Sequence, residues 1–369
     1  MSEPRRVALV GGVLYRHDAI STTMLLKLDA LAERPDLEGR AFVLATDVDH
    51  PAVTVVPDAW ALVADDRFAA AAARVYEFGI RYPLFDSIHV DTGAARVGAF
   101  HNVTPRELVD GDDARRAIDA SRRQLHGLAR CGEVVCDSTF NAECLAAAGV
   151  DVRTTVLPLP PALPSSPRPR VPAGVDDPVR VTFVGRLVRA KGIPELLTAH
   201  ALASRDAAVD LVLAGSSRFS DPATMAALDR ADVRVEYGLD DAELADLLAR
   251  TDVLVLASHH EGYGLPVVEA LAAGCQVIVS DAGALRETAG ALGLVVPAGD
   301  VGALAAALAR TAGSVVAARR GAAASVPTAL GDLGLADWRD RVGRHLAARD
   351  VAAFRAGFLD VVDRAIAAA

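Results

Sequence analysis

Hydrophobic positions along the chain fall into short apolar runs separated by longer stretches with a helical period. In the first half the runs predict strands at 7–10, 41–45, 87–90, 97–101 and 134–137. The helical stretches among them are 22–33, 67–76 and 112–130. This alternation is typical of a parallel sheet with helices on both faces.

The alternation restarts after residue 178. Strands are predicted at 179–184, 209–214, 233–237, 253–257 and 276–280, and helices at 194–204, 240–249 and 266–273. Between the halves lie eight prolines, at 158, 160, 161, 164, 167, 169, 172 and 178, which remove backbone donors and disfavour helix. We therefore predict an N-terminal domain (1–157), a linker (158–178) and a C-terminal domain (179–334). Helices within 335–369 are expected to pack back across the seam between the domains.

Composition narrows the function classes. A length of 369 residues is enough for two domains, and the 52% hydrophobic content supplies packed cores for both. The formal net charge of −10 disfavours a nucleic-acid partner. The four cysteines form no C-x-x-C pair, so free thiols and a reducing compartment such as the cytoplasm are expected. No signal peptide or transmembrane helix is predicted, because the apolar runs are too short.

A glycine-bounded loop with several cations follows the strand predicted at 179–184. The segment 185–192 reads G-R-L-V-R-A-K-G and contains Gly185, Arg186 and Lys191 ahead of Pro194, which opens a helix. A glycine turn, two cations and a helix N-terminus suit a diphosphate and would stabilise a departing nucleotide without a metal. The alternative is a solvated loop with ordinary surface cations.

A second segment, 261–269, reads E-G-Y-G-L-P-V-V-E and follows the strand predicted at 253–257. The backbone N–H groups around Gly262 and Gly264 can approach a ligand closely. A carboxylate can accept both hydroxyls of a ribose diol, which suits Glu269, while Glu261 is placed to meet sugar hydroxyls. The alternative is that Glu269, in the first turn of a helix, is simply favoured by the helix dipole.

The 261–269 segment resembles the E-x7-E motif of the family-4 (group 1) retaining glycosyltransferases. The 185–192 loop is similar to the diphosphate loop of that family, in the same order along the chain. The resemblance extends over the C-terminal domain and implies the GT-B fold, in which two doubly wound Rossmann-like domains face a central cleft. It also implies a UDP- or GDP-linked hexose as donor, retention of anomeric configuration, and no metal or other cofactor.

The resemblance assigns roles to individual residues. It implies that Arg186 and Lys191 hold the diphosphate beside Gly185, that Glu261 binds the donor sugar, and that Glu269 binds the ribose. Arg186, Lys191 and Glu261 are thereby candidate catalytic residues. Backbone donors to the donor sugar and phosphate are expected from Gly262, Tyr263, Gly264 and Leu265.

The N-terminal half resembles a bacterial subgroup of the same family. Its F-H-N-V-T-P segment at 100–105 is similar to a histidine segment of that subgroup, and 76–80 and 137–143 match as well. The resemblance implies a catalytic His101 close to the donor sugar, with Asn102 beside it on the acceptor side. The alternative is that His101 ends a strand and caps a turn with Thr104.

Asp18 is the other acceptor-side candidate, and it has a structural alternative. It precedes a predicted helix, so it either binds an acceptor hydroxyl or is the helix N-cap. Of the glycine-rich turn that many family members carry after the first strand, only Gly11 and Gly12 are present. This departure leaves open whether the N-terminal domain contacts the donor phosphate.

Several short patterns are interpreted as incidental. Asp47-x-Asp49 is assigned to a surface loop instead of a metal site, and His259-His260 to the lining of the cleft. The G-x-G-x-x-G spacing of a dehydrogenase is missing, and the residue patterns of epimerases and phosphorylases are not seen. A non-catalytic nucleotide- or sugar-binding protein on the same fold remains the alternative function.

The acceptor is not specified by the sequence, and a glycan, a lipid-linked sugar and a small molecule all remain open. Some family members dock on membranes through a basic helix. Here the arginines of the helix predicted at 112–130 alternate with acidic residues, which favours a solvated helix. Peripheral membrane contact is therefore open but unsupported.

Overall fold

The computed structural model describes residues 3–16, 18–161, 173–217, 220–322 and 324–369. The first compact unit takes its described residues from Met1–Arg106, Gly111–Leu159 and Asp350–Ala369, and the second from Glu107–Asp110 and Pro160–Arg349. Each unit is built around a parallel sheet with helices, which confirms the predicted fold class. The prolines at 164, 167, 169 and 172 of the predicted linker lie outside the described residues.

The first unit begins with nearly regular strand–helix alternation. Its strands are β1 (Arg5–Val10), β2 (Val13–Leu14), β3 (Leu37–Val43), β4 (Ala45–Thr46), β5 (Val53–Val55), β6 (Ala73–Phe78), β7 (Ala95–Phe100), β8 (Glu133–Cys136) and β9 (Thr154–Val156). Its helices before the linker are α1 (Ala19–Ala32), α2 (Ala59–Ala64), α3 (Asp66–Ala69), α4 (Asp112–Leu125) and α5 (Thr139–Ala147).

The main sheet of the first unit has seven parallel strands in the order β5-β3-β1-β6-β7-β8-β9. Every residue of β6 is buried, as expected for a central strand with both faces covered. The strand order reverses between β1 and β6. In open sheets of this type, ligands bind outside the carboxyl ends of the strands at such a reversal.

The second unit repeats this design. Its strands are β10 (Val179–Val184), β11 (Val209–Gly215), β12 (Arg234–Tyr237), β13 (Val253–Leu256), β14 (Gln276–Ser280), β15 (Leu294–Val296), β16 (Ser325–Thr328) and β17 (Gly331–Gly334). Its helices are α6 (Ile193–Ala203), α7 (Pro222–Arg230), α8 (Asp241–Arg250), α9 (Leu265–Ala272), α10 (Leu285–Ala289), α11 (Val301–Arg319) and α12 (Leu335–Ala347).

The second sheet has six parallel strands in the order β12-β11-β10-β13-β14-β15, beside the antiparallel hairpin β16–β17. Its order reverses between β10 and β13. The loops that leave the carboxyl ends of these two strands are 185–192 and 257–264, which contain the predicted donor-binding residues. The fold therefore places the candidate chemistry of the second unit at its switch point.

The C-terminal helices are divided between the two units. Helix α12 stays with the second unit, where the indole N–H of Trp338 donates to the Leu292 carbonyl oxygen at 2.8 Å. Helix α13 (Val351–Ala368) belongs to the first unit and packs on α1, β6 and β7. It buries Phe354 and Phe358 there.

Two predicted elements are wrong. The predicted helix 67–76 is a short helix, α3, followed by the central strand β6, because burial on both faces of the sheet outweighs the helix propensity of its alanines. The predicted strand 87–90 falls in a 3-10 helix, Pro83–His89, whose buried residues Leu84, Phe85 and Ile88 follow a helical period.

One helix in the described chain, α11, has the length and apolar composition that a membrane span requires. Its side chains of Leu304, Leu308 and Val315 are buried in the same core as the second sheet. It packs against α6 and β16. These contacts are those of a core helix, which passes the same compositional test.

A substitution at Gly215 should destabilise the second unit. A Cβ there would lie 1.7 Å from the Gly185 carbonyl oxygen, so the backbone must shift. We expect Gly215→Ala to lower the free energy of unfolding by about 3 kcal/mol. Gly313→Ala is the control, because it lies in α11 with open space around it and should stabilise by about 1 kcal/mol. Urea denaturation of both variants checks this, and equal midpoints would contradict it.

Candidate active site

The loop after β10 extends the sheet before it turns away. The Gly185 N–H donates to the Ala214 carbonyl oxygen at 2.9 Å, and the Leu187 N–H donates to that of Ser216 at 2.8 Å. The loop thus runs alongside the end of β11. The Arg186 side chain is exposed, and no hydrogen bond or ion pair to its guanidinium occurs among the residues that the structure describes.

A close backbone contact joins this loop to the one after β13. Gly192 has a φ of +68°, and a Cβ there would lie 2.0 Å from the Ala257 carbonyl oxygen. The His259 N–H also donates to the Ala190 carbonyl oxygen at 2.9 Å. Helix α6 begins directly after Gly192, so Lys191 is held at the start of this helix.

Lys191 and Glu261 are brought together by these loops. The Lys191 Nζ lies 2.5 Å from Glu261 Oε1, and each side chain is only 15% exposed. The Ser258 hydroxyl donates to the same carboxylate oxygen at 3.1 Å. Sequence reasoning predicted both partners but neither their ion pair nor the contribution of Ser258.

The glycines after Glu261 set the path of the backbone into α9. Gly264 has a φ of +90° at the start of the helix. Gly283 has a φ of +60°, and a Cβ there would lie 2.1 Å from the Glu261 carbonyl oxygen, which accepts from the Ala284 N–H at 2.9 Å. Tyr263 is buried, and its main-chain carbonyl oxygen accepts from the Thr288 hydroxyl, which fixes the backbone of this turn.

Glu269 lies deeper than predicted. It is placed beyond the first turn of α9 and is 5% exposed, which corrects its predicted position in the first turn. A helix-dipole preference acts within the first turn and does not account for a carboxylate here.

The first unit holds four buried charged side chains in one cluster. His101, directly after β7, lies between two carboxylates: its Nδ1 is 2.8 Å from Asp137 Oδ2 and its Nε2 is 2.8 Å from Glu77 Oε2. The Lys27 Nζ donates to both oxygens of Glu77 at 2.8 Å. The His101 side chain is only 6% exposed. Both of its ring nitrogens are therefore engaged inside the unit.

The cluster holds His101 in its charged form. Burial alone would lower the pKa of His101, but Asp137 and Glu77 outweigh it and raise this pKa to about 9. Burial would raise the pKa of Glu77, whereas Lys27 and His101 lower it below its ordinary value. An imidazolium donates from both ring nitrogens, which matches the two carboxylate contacts. The positive charges of Lys27 and His101 then balance the negative charges of Glu77 and Asp137.

The sequence patterns did not predict this cluster of Lys27, Glu77, His101 and Asp137. The signals are a lysine within the otherwise apolar stretch of α1 and a glutamate in the fully buried strand β6. Neither signal identifies a partner, because Lys27 and Glu77 lie far apart in the chain. Any contact between His101 and a substrate requires the exchange of one of its carboxylate bonds.

Asn102 follows His101 with an uncommon backbone conformation. Its φ is +72°, and its side-chain oxygen accepts from the Val103 N–H at 2.7 Å. Its amide nitrogen donates to Asn141 Oδ1 at 2.8 Å. The side chain of Asn102 thus stabilises the turn after β7, and its predicted acceptor-side role is untested.

Asp18 is the N-cap of α1. Its Oδ2 accepts from the Ser21 N–H at 2.9 Å and from the Ser21 hydroxyl at 2.8 Å. This is the structural alternative that the sequence left open. An acceptor-binding role for Asp18 stays a prediction.

The patterns interpreted as incidental have structural partners. Asp47 and Asp49 are exposed, as predicted for a surface loop, and Asp47 accepts from the Arg16 N–H. His259 Nε2 lies 3.0 Å from Glu195 Oε1. Across the described ranges, no three His, Cys, Asp or Glu side chains are grouped to hold a metal ion. The cysteines are free thiols, as predicted.

Helix α4 carries paired charges on its surface. Arg116 pairs with Asp113, and the Arg106 Nε lies 3.2 Å from Asp119 Oδ2. Such pairs are typical of a solvated helix. Membrane contact through this helix stays untested.

Part of the sequence is similar to known glycosyltransferases. Residues 178–313 match the family model of Glycosyl transferases group 1. The chain is 38% identical over 160 residues to an MMP alpha-(1->4)-mannosyltransferase of Mycolicibacterium hassiacum, which covers 38% of each protein. It is 34% identical over 169 residues to a glycogen synthase of Mycobacterium tuberculosis, covering 44% of the chain and 40% of the relative. The matched region lies within the second unit and contains both candidate donor-binding segments, 185–192 and 261–269.

Solved structures match over nearly the whole chain. A sucrose-phosphate synthase from Thermosynechococcus elongatus has a TM-score of 0.71 at 20% identity, covering 99% of this chain and 100% of that one. Anabaena HepE in complex with UDP and glucose has a TM-score of 0.70 at 14% identity, covering 98% and 100%. The chain has the GT-B fold. The chain spans less than half of the length of the curated relatives that it matches.

The His101 cluster predicts a pH dependence of stability. Because the pKa of His101 is raised to about 9 from an ordinary 6.5, the stabilisation is fully present below about pH 6.5 and is lost as pH rises through 9. We expect His101→Gln to remove a contribution of up to about 3 kcal/mol at pH 6 and less at pH 9.

Urea denaturation between pH 6 and 9.5 measures this contribution as the difference between wild type and variant. His126→Gln is the control, because His126 is exposed on the same unit and its loss should leave the wild-type pH dependence unchanged. A pH-independent difference for His101→Gln would show that His101 is not held as an imidazolium.

Proposed function

We propose that the chain is a metal-independent, retaining glycosyltransferase that transfers a hexose-type sugar from a UDP- or GDP-sugar to an acceptor. One observation carries this proposal: the 185–192 loop and the 261–269 segment meet at the switch point of the second sheet. They meet there through the ion pair of Lys191 with Glu261. The match of residues 178–313 to the group 1 glycosyltransferases supports the same conclusion.

Each donor group has a candidate partner in the second unit. In this proposal, Arg186 and Lys191 bind the diphosphate at the start of α6, whose N-terminal dipole favours negative charge. Glu261 accepts hydrogen bonds from the sugar, and the buried Glu269 accepts both ribose hydroxyls. Backbone N–H groups of the turn that contains Gly262, Tyr263, Gly264 and Leu265 supply further donors.

The proposed reaction is a displacement on one face of the sugar. The bond between the anomeric carbon and the phosphate oxygen breaks while the acceptor oxygen bonds to the same carbon from the same side. The acceptor proton passes to the departing β-phosphate oxygen, so charge and atoms balance. Arg186 and Lys191 stabilise the charge that develops on the diphosphate. No carboxylate nucleophile is required in this scheme.

For the acceptor, only classes of molecule are proposed. A glycan, a lipid-linked sugar or a small molecule are the candidates, and His101, Asn102 and Asp18 are the proposed residues of the first unit on that side. For His101, a contact with the substrate would replace one of its two carboxylate bonds, and proton removal is disfavoured because the ring is held protonated.

Nucleotide binding is the first test. In thermal denaturation with UDP, GDP, ADP, TDP and NAD, we expect one nucleoside diphosphate to raise the midpoint, because a ligand that binds only the folded state adds RT ln(1 + [L]/Kd). Glu269→Gln should weaken that affinity roughly 10- to 100-fold, because hydrogen bonds to a charged group are lost.

Glu143→Gln is the matched control, since Glu143 is exposed on the first unit and should leave the shift unchanged. Stabilisation by NAD alone would overturn the glycosyltransferase proposal. Binding of a nucleoside diphosphate without any sugar transfer would favour the non-catalytic binding protein.

Retention of configuration is tested on the product. With an α-linked nucleotide-sugar and EDTA in the assay, NMR of the product should show an α-anomeric proton, because attack and departure share one face. A β-linked product would rule out the same-face mechanism. Loss of transfer on addition of EDTA would instead contradict metal independence.

A further inference from the structure

The Lys191–Glu261 ion pair has a geometry that the backbone imposes. Lys191 precedes Gly192, whose missing side chain permits contact with Ala257, and Gly283 permits a similar contact with the Glu261 carbonyl. The Lys191 Nζ and Glu261 Oε1 lie 2.5 Å apart with both side chains largely buried. Ser258 donates to the same carboxylate oxygen, which further restricts its position.

This geometry places a negative charge close to any phosphate that Lys191 binds. A phosphate oxygen at hydrogen-bond distance from Nζ, about 2.8 Å, cannot lie more than about 5 Å from Glu261 Oε1 while the pair persists. At that separation in a largely buried site, the repulsion between carboxylate and phosphate is only partly screened. Arg186, in contrast, is an exposed cation against which no carboxylate of the described residues is held.

The donor and the product respond differently to this carboxylate. In a nucleotide-sugar the β-phosphate is esterified to the sugar and carries one negative charge, and the attached sugar offers hydroxyl donors. In the free nucleoside diphosphate the terminal phosphate carries a charge of about −1.5 to −2 at pH 7 and offers no such donors. A fixed carboxylate therefore favours the nucleotide-sugar on both counts.

We propose that Glu261 is a specificity-determining residue that makes the site prefer the nucleotide-sugar to the free nucleoside diphosphate. This inference rests on the proposed function, because it takes Lys191 as a phosphate ligand. Its consequence is that Glu261 weakens the binding of the product and promotes its release. The same carboxylate then serves the sugar in one state and opposes the product in the other.

The test compares two affinities in one variant. Glu261→Gln keeps the shape and an acceptor oxygen for Lys191 and Ser258 but removes the charge. Isothermal titration calorimetry measures the affinities for the diphosphates UDP, GDP, ADP and TDP and for the nucleotide-sugars UDP-glucose and GDP-mannose. We expect Glu261→Gln to bind the diphosphate that the wild type binds about tenfold more tightly than the wild type does. Binding of the matching nucleotide-sugar should be unchanged or weaker.

Glu38→Gln is the matched control. Glu38 forms an ion pair with Arg6 in the first unit, and its side chain is 40% exposed, so the same chemical change is made to an ion-paired glutamate away from the second unit. It should change both affinities less than twofold. Circular dichroism melting confirms that each variant is folded before binding is measured.

The outcomes separate this inference from the proposed function. Diphosphate binding that tightens in Glu261→Gln and not in the control, while nucleotide-sugar binding does not tighten, supports the inference. Equal tightening of both ligands overturns it. Diphosphate binding that is unchanged or weaker in Glu261→Gln overturns it, while binding by the wild type leaves the proposed function standing. If the wild type binds none of the four diphosphates, the proposed function fails and the inference fails with it.

Discussion

Close contact between backbones at the carboxyl edge of the second sheet is the constraint on which the candidate active site depends. At Gly192, Gly215 and Gly283, a Cβ would lie within about 2 Å of a neighbouring carbonyl oxygen. The loops that carry Lys191 and Glu261 are therefore stacked main chain to main chain. Because these loops are fixed, the Lys191 and Glu261 side chains are already close together before a ligand binds. Such a site is electrostatically preorganised.

In the first unit, buried charged side chains hold neighbouring elements together. Four charged side chains, from α1, from β6 and from the ends of β7 and β8, are buried together and connect these elements across the sheet. Their charges balance only as a group, and removing one member leaves an uncompensated buried charge. This cluster links α1 to the three neighbouring strands β6, β7 and β8. It also explains how a histidine can stay charged in the interior.

The parts of the molecule that depend on local sequence were predictable. Strands β10 and β14 have the predicted bounds, because each is a short hydrophobic segment that ends at a turn-forming or polar residue, Gly185 after β10 and Asp281 after β14. The Lys191 and Glu261 segments were predictable for a similar reason, since each is a compact motif after a strand. Strand β6 was misassigned, because only pairing with β1 and β7 reveals it. The burial of Glu269 and the partners of His101 arise from contacts between distant segments, which no local pattern contains.

The position of α13 has a consequence for the order in which the protein is made. Helix α13 covers α1, β6 and β7 of the first unit, and the Lys27 ammonium lies 5.8 Å from the ring centre of its Phe358. Yet α13 follows the whole second unit along the chain. On the ribosome, the second unit has all of its residues before the first unit receives its last helix. The half that is synthesised first is therefore completed last, and until then the apolar side chains beneath α13 lack the cover of that helix.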